Sequence, residues 1–90
     1  MYRYHLLVAG RVQGVGFRYI TQHAAEKTSV TGWVKNLYNG DVEIEVQGQE
    51  DSIANFITLI RKGNGFSSIE NIDINMIDLV SQEKGFKIKY

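Results

Sequence analysis

Cysteine and proline are both absent from this chain. Without thiols there is no disulfide, no thiolate nucleophile and none of the usual structural zinc sites. The missing proline goes with the lack of any low-complexity tract or linker. Net charge is missing too: ten basic and ten acidic side chains cancel, so no global field draws the chain to nucleic acid or to an anionic membrane. Any anion site must be local, built from a few residues. No apolar run approaches the length that spans a bilayer, and Met1-Tyr2-Arg3-Tyr4-His5 runs into alternating residues without the apolar core of a signal peptide. A soluble cytoplasmic protein is expected, with neither nucleic acid nor membrane as partner. Ninety residues, 43% of them hydrophobic, suffice for one domain over residues 1–90 with one modest core.

Periodicity supplies the elements. Tyr2 to Arg11 reads as a strand, and because Leu7 and Ala9 make its second face apolar as well, it suits a central position. Phe17, Ile20, Ala24 and Thr28 recur at helical spacing, predicting a helix over Arg18 to Lys27 with one packed stripe. Val30 to Asn36 is a strand. The Asn39-Gly40 pair that follows signals a hairpin, since both residues tolerate positive φ. Val42, Ile44 and Val46 alternate with Glu43, Glu45 and Gln47 in a strand with one wet face. Ile53, Phe56, Ile57 and Ile60 mark a second helix, with Glu50 and Asp51 at its positive end, Arg61 and Lys62 at the other, and Gly63 as its cap. Most of Ile69 to Leu79 is strand, Ser81 to Lys84 turns, and Phe86 to Tyr90 is a short final strand. This order predicts an α+β, ferredoxin-like βαββαβ sandwich: an antiparallel-rich sheet, two helices on one face, and a short fifth strand.

That topology runs the first and second strands parallel, with the third antiparallel between them. Their C-terminal ends then share one sheet edge, two interstrand spacings or roughly 10 Å apart. The segment Gly-Arg-Val-Gln-Gly-Val-Gly-Phe-Arg (residues 10–18) leaves the first strand at that edge, and Asn36 ends the second strand there. Gly10, Gly14 and Gly16 allow unusual backbone angles and close approach of a ligand. The amides of Gln13, Gly14, Val15, Gly16 and Phe17 can turn inward as an anion-binding nest that opens into a helix N-terminus. Arg18 adds a planar fork matched to two phosphate oxygens. Neither familiar nucleotide pattern fits: Tyr19 holds the place of a third glycine, and no Lys-Ser or Lys-Thr pair follows. Taken alone, the segment is a phosphate cradle or a tight connection beside a surface arginine.

The second motif separates the two. Gly32-Trp33-Val34-Lys35-Asn36, followed by Gly40, Val42 and Gly48, together with residues 10–18, resembles the acylphosphatase family, and the likeness extends to the ending Gly85-Phe86-Lys87-Ile88-Lys89-Tyr90. The resemblance implies hydrolysis of the carboxyl-phosphate bond of acyl phosphates to a carboxylate and inorganic phosphate. It implies no cofactor and no metal. It also implies that Arg18 holds the phosphate and that Asn36 orients the attacking water, with a small acyl phosphate as the substrate. A monomer is expected. The family often has other residues at positions 38 and 39, sometimes has cysteine where Gly16 stands, and commonly has a proline between Lys62 and Ser68, where this chain has none. A carboxylate whose acid has a pKa of about 4 leaves without a strong general acid, so the protein should impart little pH dependence.

Other residues carry blander readings. His5, within the first strand, and His23, mid-helix, read as structural or surface residues rather than a base or metal pair. Trp33 reads as packing. Lys35 points to the face opposite Asn36, and Arg11 at most enriches the local field. Glu43 and Glu45 read as a solvated face. Two rival functions fit less well, since Lys87 and Ile88 depart from the RNA signature, net charge is zero, and Arg18 and Asn36 are both present. One is a single-stranded RNA module, since Lys84-Gly85-Phe86 echoes the start of such a signature; the other is a phosphate sensor on the same fold.

Overall fold

The computed structural model describes residues 1–90 as β1 (Tyr2–Arg11), α1 (Phe17–Thr28), β2 (Thr31–Asn36), β3 (Val42–Gly48), α2 (Glu50–Lys62), β4 (Ser68–Ile77) and β5 (Phe86–Lys89). The strands form one sheet in the order β4-β1-β3-β2-β5. All pairings are antiparallel except β2 with β5. The ferredoxin-like βαββαβ arrangement is therefore observed, and β1 is central, as its two apolar faces predict. No helix is long and apolar enough to cross a membrane.

One face of the sheet is the core. Leu6 and Val8 of β1, Val34 of β2, and Val42, Ile44 and Val46 of β3 are fully buried beneath the helices. α2 contributes Ile53, Phe56 and Ile60, each worth about 1.5–3 kcal/mol of burial. Phe56 meets Phe86 of β5 with ring centroids 5.7 Å apart. The packed stripe of α1 differs from expectation: Phe17, Thr21, Ala24 and Ala25 are buried, while Ile20 and Thr28 are half-covered. Thr21 is tolerated inside because its hydroxyl donates to the Phe17 carbonyl at 2.9 Å. Gly32 belongs to this tight region: its φ is 144°, and a Cβ there would run into the Glu45 carbonyl of the paired strand.

The β2–β3 hairpin forms, but not as a turn with two positive φ angles. Only Gly40 is left-handed (φ 95°). Asn39 instead caps the loop, its Oδ1 accepting the Asp41 N–H at 3.0 Å, and Leu37 N–H donates to the Asp41 carbonyl at 2.9 Å.

The open face is not simply wet. Arg3 is 2% exposed there. Its guanidinium donates to Glu45 at 2.9 Å, to Gln47 at 3.2 Å and to both carboxylate oxygens of Glu83 at 2.8 and 3.1 Å. Gln47 in turn exchanges two hydrogen bonds with the Val80 backbone, so the β4–β5 connection is strapped across the sheet. Glu43 and Glu45 are thus partners of basic side chains, His5 Nε2 lying 2.7 Å from Glu43. Burial works against the Arg3 charge, but the hydrogen bonds to Glu83 and Glu45 outweigh it and hold the guanidinium more firmly protonated than usual. Burial likewise opposes the Glu83 charge. The hydrogen bonds from Arg3 and Thr31, with the nearby charges of Arg3 and Lys87, more than offset this and hold the carboxyl below its usual range.

A carboxyl depressed in the folded state stabilises that state above its unfolded pKa, and the contribution is lost as pH falls through the folded value. Urea denaturation should therefore show stability falling below about pH 4.5, with a shallower fall in Glu83→Gln. Equal slopes for the two proteins would refute the assignment.

Candidate active site

Two chain segments meet at the C-terminal edge of β1 and β2. β1 breaks register against β4 between Ala9 and Gly10, and the backbone then turns through residues with φ of 73° at Gly14 and 78° at Gly16. Side chains rarely adopt such angles, which is why glycine stands there. Gly16 is the N-cap of α1, its carbonyl accepting from Ile20 N–H at 3.2 Å. The N–H groups from Gln13 through Tyr19 enter no backbone hydrogen bond. This is the free-donor array of a helix N-terminus extended backwards into a loop.

A small pocket of about 130 Å³ opens at this edge. Gly14, Gly16, Phe17 and Arg18 line it from the loop and the first turn of α1, and Asn36 lines it from the end of β2. Val12 and Tyr19 complete the wall. Arg18 and Asn36, separated in sequence by the rest of α1 and by β2, are brought together as the topology predicts. Not every loop residue faces the pocket. The Gln13 side chain turns away and donates to the carbonyls of Leu37 and Asp41 at 2.7 and 2.8 Å, sewing the loop to the β2–β3 hairpin. Val15 lays its side chain against the core. For these two residues only the backbone is left to serve a ligand.

The polar groups at the pocket are uncommitted. Arg18 takes part in no ion pair; its guanidinium lies 4.9 Å from the centroid of the Tyr90 ring. None of its N–H groups is spent on a hydrogen bond within the protein, so its planar fork is open to a ligand. The Asn36 amide has no protein partner, and its Oδ1 is buried. Asn36 also lines a second, adjoining hollow with Gln13, Lys35, Leu37, Tyr38 and Tyr90. Tyr90 and Tyr19 are the neighbours that sequence reasoning missed. Tyr90 stands in the family-like ending without a role attached to it, and Tyr19 stands out in the sequence only as the residue that breaks a glycine pattern.

The remaining candidates fall elsewhere. His5 pairs with Glu43 on the open face, and His23 is exposed on α1. Trp33 is capped on the open face by Lys89, whose Nζ is 4.2 Å from the ring. Phe86 of the RNA-like echo is buried in the core and offers no face to a base.

A model of the acylphosphatase family matches residues 4–88. The chain belongs to the acylphosphatase family. Among its relatives is the acylphosphatase of Clostridium beijerinckii, 56% identical over 90 residues and covering the whole of both chains. Another is that of Geobacillus kaustophilus, 49% identical over 90 residues, all of this chain and 96% of the other. The crystal structure of acylphosphatase from Bacillus subtilis superimposes with a TM-score of 0.93 at 39% identity, with full coverage of both chains. Membership makes the chain an enzyme of acyl phosphate hydrolysis. The residues that perform it are a matter for its own geometry.

Proposed function

We propose that the chain hydrolyses acyl phosphates by holding the phosphate with Arg18 and the amides of Gln13, Gly14, Val15, Gly16 and Phe17, while Asn36 orients the attacking water. The observation that carries this reading is the unpartnered amide of Asn36 beside an unpaired arginine and a run of free N–H groups. A buried amide oxygen without a partner costs about 1–3 kcal/mol, so a fold that keeps one at a pocket wall is holding it for a ligand.

The chemistry asks little else. Water attacks phosphorus as the bond to the acyl oxygen breaks, and that oxygen leaves as a carboxylate. The water's proton goes to a phosphate oxygen. Developing charge on the equatorial oxygens is met by Arg18 and the backbone donors, which are already oriented before reaction. Asn36 both accepts from and donates to the water and adds no charge to repel it from the anion. This reading needs no metal and one chain only, since both groups come from the same fold; we place the enzyme in the cytoplasm as a monomer.

The test is release of inorganic phosphate from acetyl and benzoyl phosphate by the purified chain with excess chelator. Turnover of both is expected, with no inflection between about pH 5 and 8 beyond the substrate phosphate's own titration. Loss of activity in chelator, or a further inflection that does not follow the substrate, would overturn the mechanism.

A further inference from the structure

Resting on that reading of the site, we infer that Asn64, in the connection between α2 and β4, is a positioning residue that aims the Gly16 N–H at the bound phosphate. Asn64 lies 48 positions beyond Gly16 and outside every motif of the sequence. Its Nδ2 donates to the Val15 carbonyl at 2.9 Å. Its Oδ1 accepts the N–H groups of Phe66 and Ser67 at 3.0 and 3.2 Å. One side chain thus fixes its own loop with its oxygen and the phosphate loop with its nitrogen.

The consequence follows from peptide geometry. The Val15 carbonyl and the Gly16 N–H belong to one planar unit, and every peptide bond of the chain is trans. In a trans unit the two groups point in opposite directions. Tying the carbonyl outward to Asn64 therefore turns the Gly16 N–H inward, toward the pocket that Gly16 lines. The next unit is fixed the same way: the Gly16 carbonyl accepts from Ile20 N–H, which orients the Phe17 N–H. That second tie is supplied by α1 itself. The first has no local source, because Gly14 and Gly16 leave the intervening backbone free to rotate. Asn64 closes this gap from across the fold.

Asn64→Ala and Asn64→Asp separate this role from general support of the loop. Aspartate keeps the acceptor for Phe66 and Ser67 but cannot donate to Val15; alanine removes both functions without adding charge. A single exposed hydrogen bond sets the scale of the effect. In both variants the KM for acetyl phosphate and the inhibition constant of inorganic phosphate should rise about threefold to tenfold, with kcat changing less. The decisive readout is the ¹H–¹⁵N shift of the Gly16 amide as inorganic phosphate is titrated. It should shrink in both variants, while the shift at the Gly14 amide persists and Asn64→Asp keeps the melting temperature of the parent. A Gly16 response and phosphate affinity equal to the parent's would overturn the role of Asn64 alone. A parent protein in which phosphate moves no loop amide would overturn this role and the phosphate-loop reading together.

Discussion

Arg18→Ala should lower kcat/KM for acyl phosphates by about 10³-fold or more while leaving the melting temperature unchanged. The magnitude follows from what is removed. One preorganised donor to a developing oxyanion is worth about 10²–10³ in rate, and an arginine that meets transferring phosphoryl oxygens is worth about 10³–10⁵. The unchanged stability follows from what Arg18 touches: it has no ion pair, and its one aromatic neighbour, Tyr90, is itself 85% exposed. Arg18→Lys keeps the charge but presents a point donor in place of a planar fork, so it should recover a small part of the loss. Initial-rate kinetics with all three proteins, beside thermal melts, decide the matter. A loss under tenfold in Arg18→Ala would mean that the backbone donors alone hold the phosphate, and the assignment of Arg18 would fall.

Much of this arrangement could be read before the structure, for identifiable reasons. Strand alternation in β3 and the heptad-like stripe Ile53, Phe56, Ile57, Ile60 are local signals, and local signals survive folding. Once the order of elements implied β3 between β1 and β2, the meeting of Arg18 with Asn36 followed from strand polarity alone. What escaped has one physical character: it depends on contacts between loops that no periodicity encodes. Arg3 stands on the β1 face of Leu7 and Ala9, where nothing in the alternation pairs an arginine, and the strap through Val80 and Glu83 is what covers it. Asn64 looks like a turn residue and nothing more until its Nδ2 is found on the Val15 carbonyl. Ile74 and Met76 alternate as core residues should, yet they are 45% and 63% exposed. β4 is an edge strand, and the helices make their main contacts with β2, β3 and β5. The Arg18–Tyr90 contact was equally invisible, since the terminal residue reaches the site only because β5 pairs parallel with β2 and ends beside Asn36.

Asn36 should show the opposite linkage between activity and stability from an ordinary half-buried polar residue. In Asn36→Ala, kcat is expected to fall about 10²–10³-fold, with KM changed far less, because the amide meets the attacking water and not the phosphate that binding recognises. The fold should not weaken. Deleting an amide whose buried Oδ1 has no protein partner breaks no bond within the fold, so urea denaturation should find the variant within about 1 kcal/mol of the parent. Asn36→Asp tests the charge argument at the same atom positions. A carboxylate about 4 Å from the phosphate repels it by about 4 kcal/mol per charge pair at an effective dielectric of 20. That variant should lose phosphate inhibition and show a sharply raised KM, where alanine does not. Lost activity with preserved stability in Asn36→Ala, and lost binding in Asn36→Asp, together identify a water-orienting amide. Destabilisation of Asn36→Ala by more than about 1 kcal/mol, or parent-like kcat, would assign Asn36 to the fold and leave the water to another group.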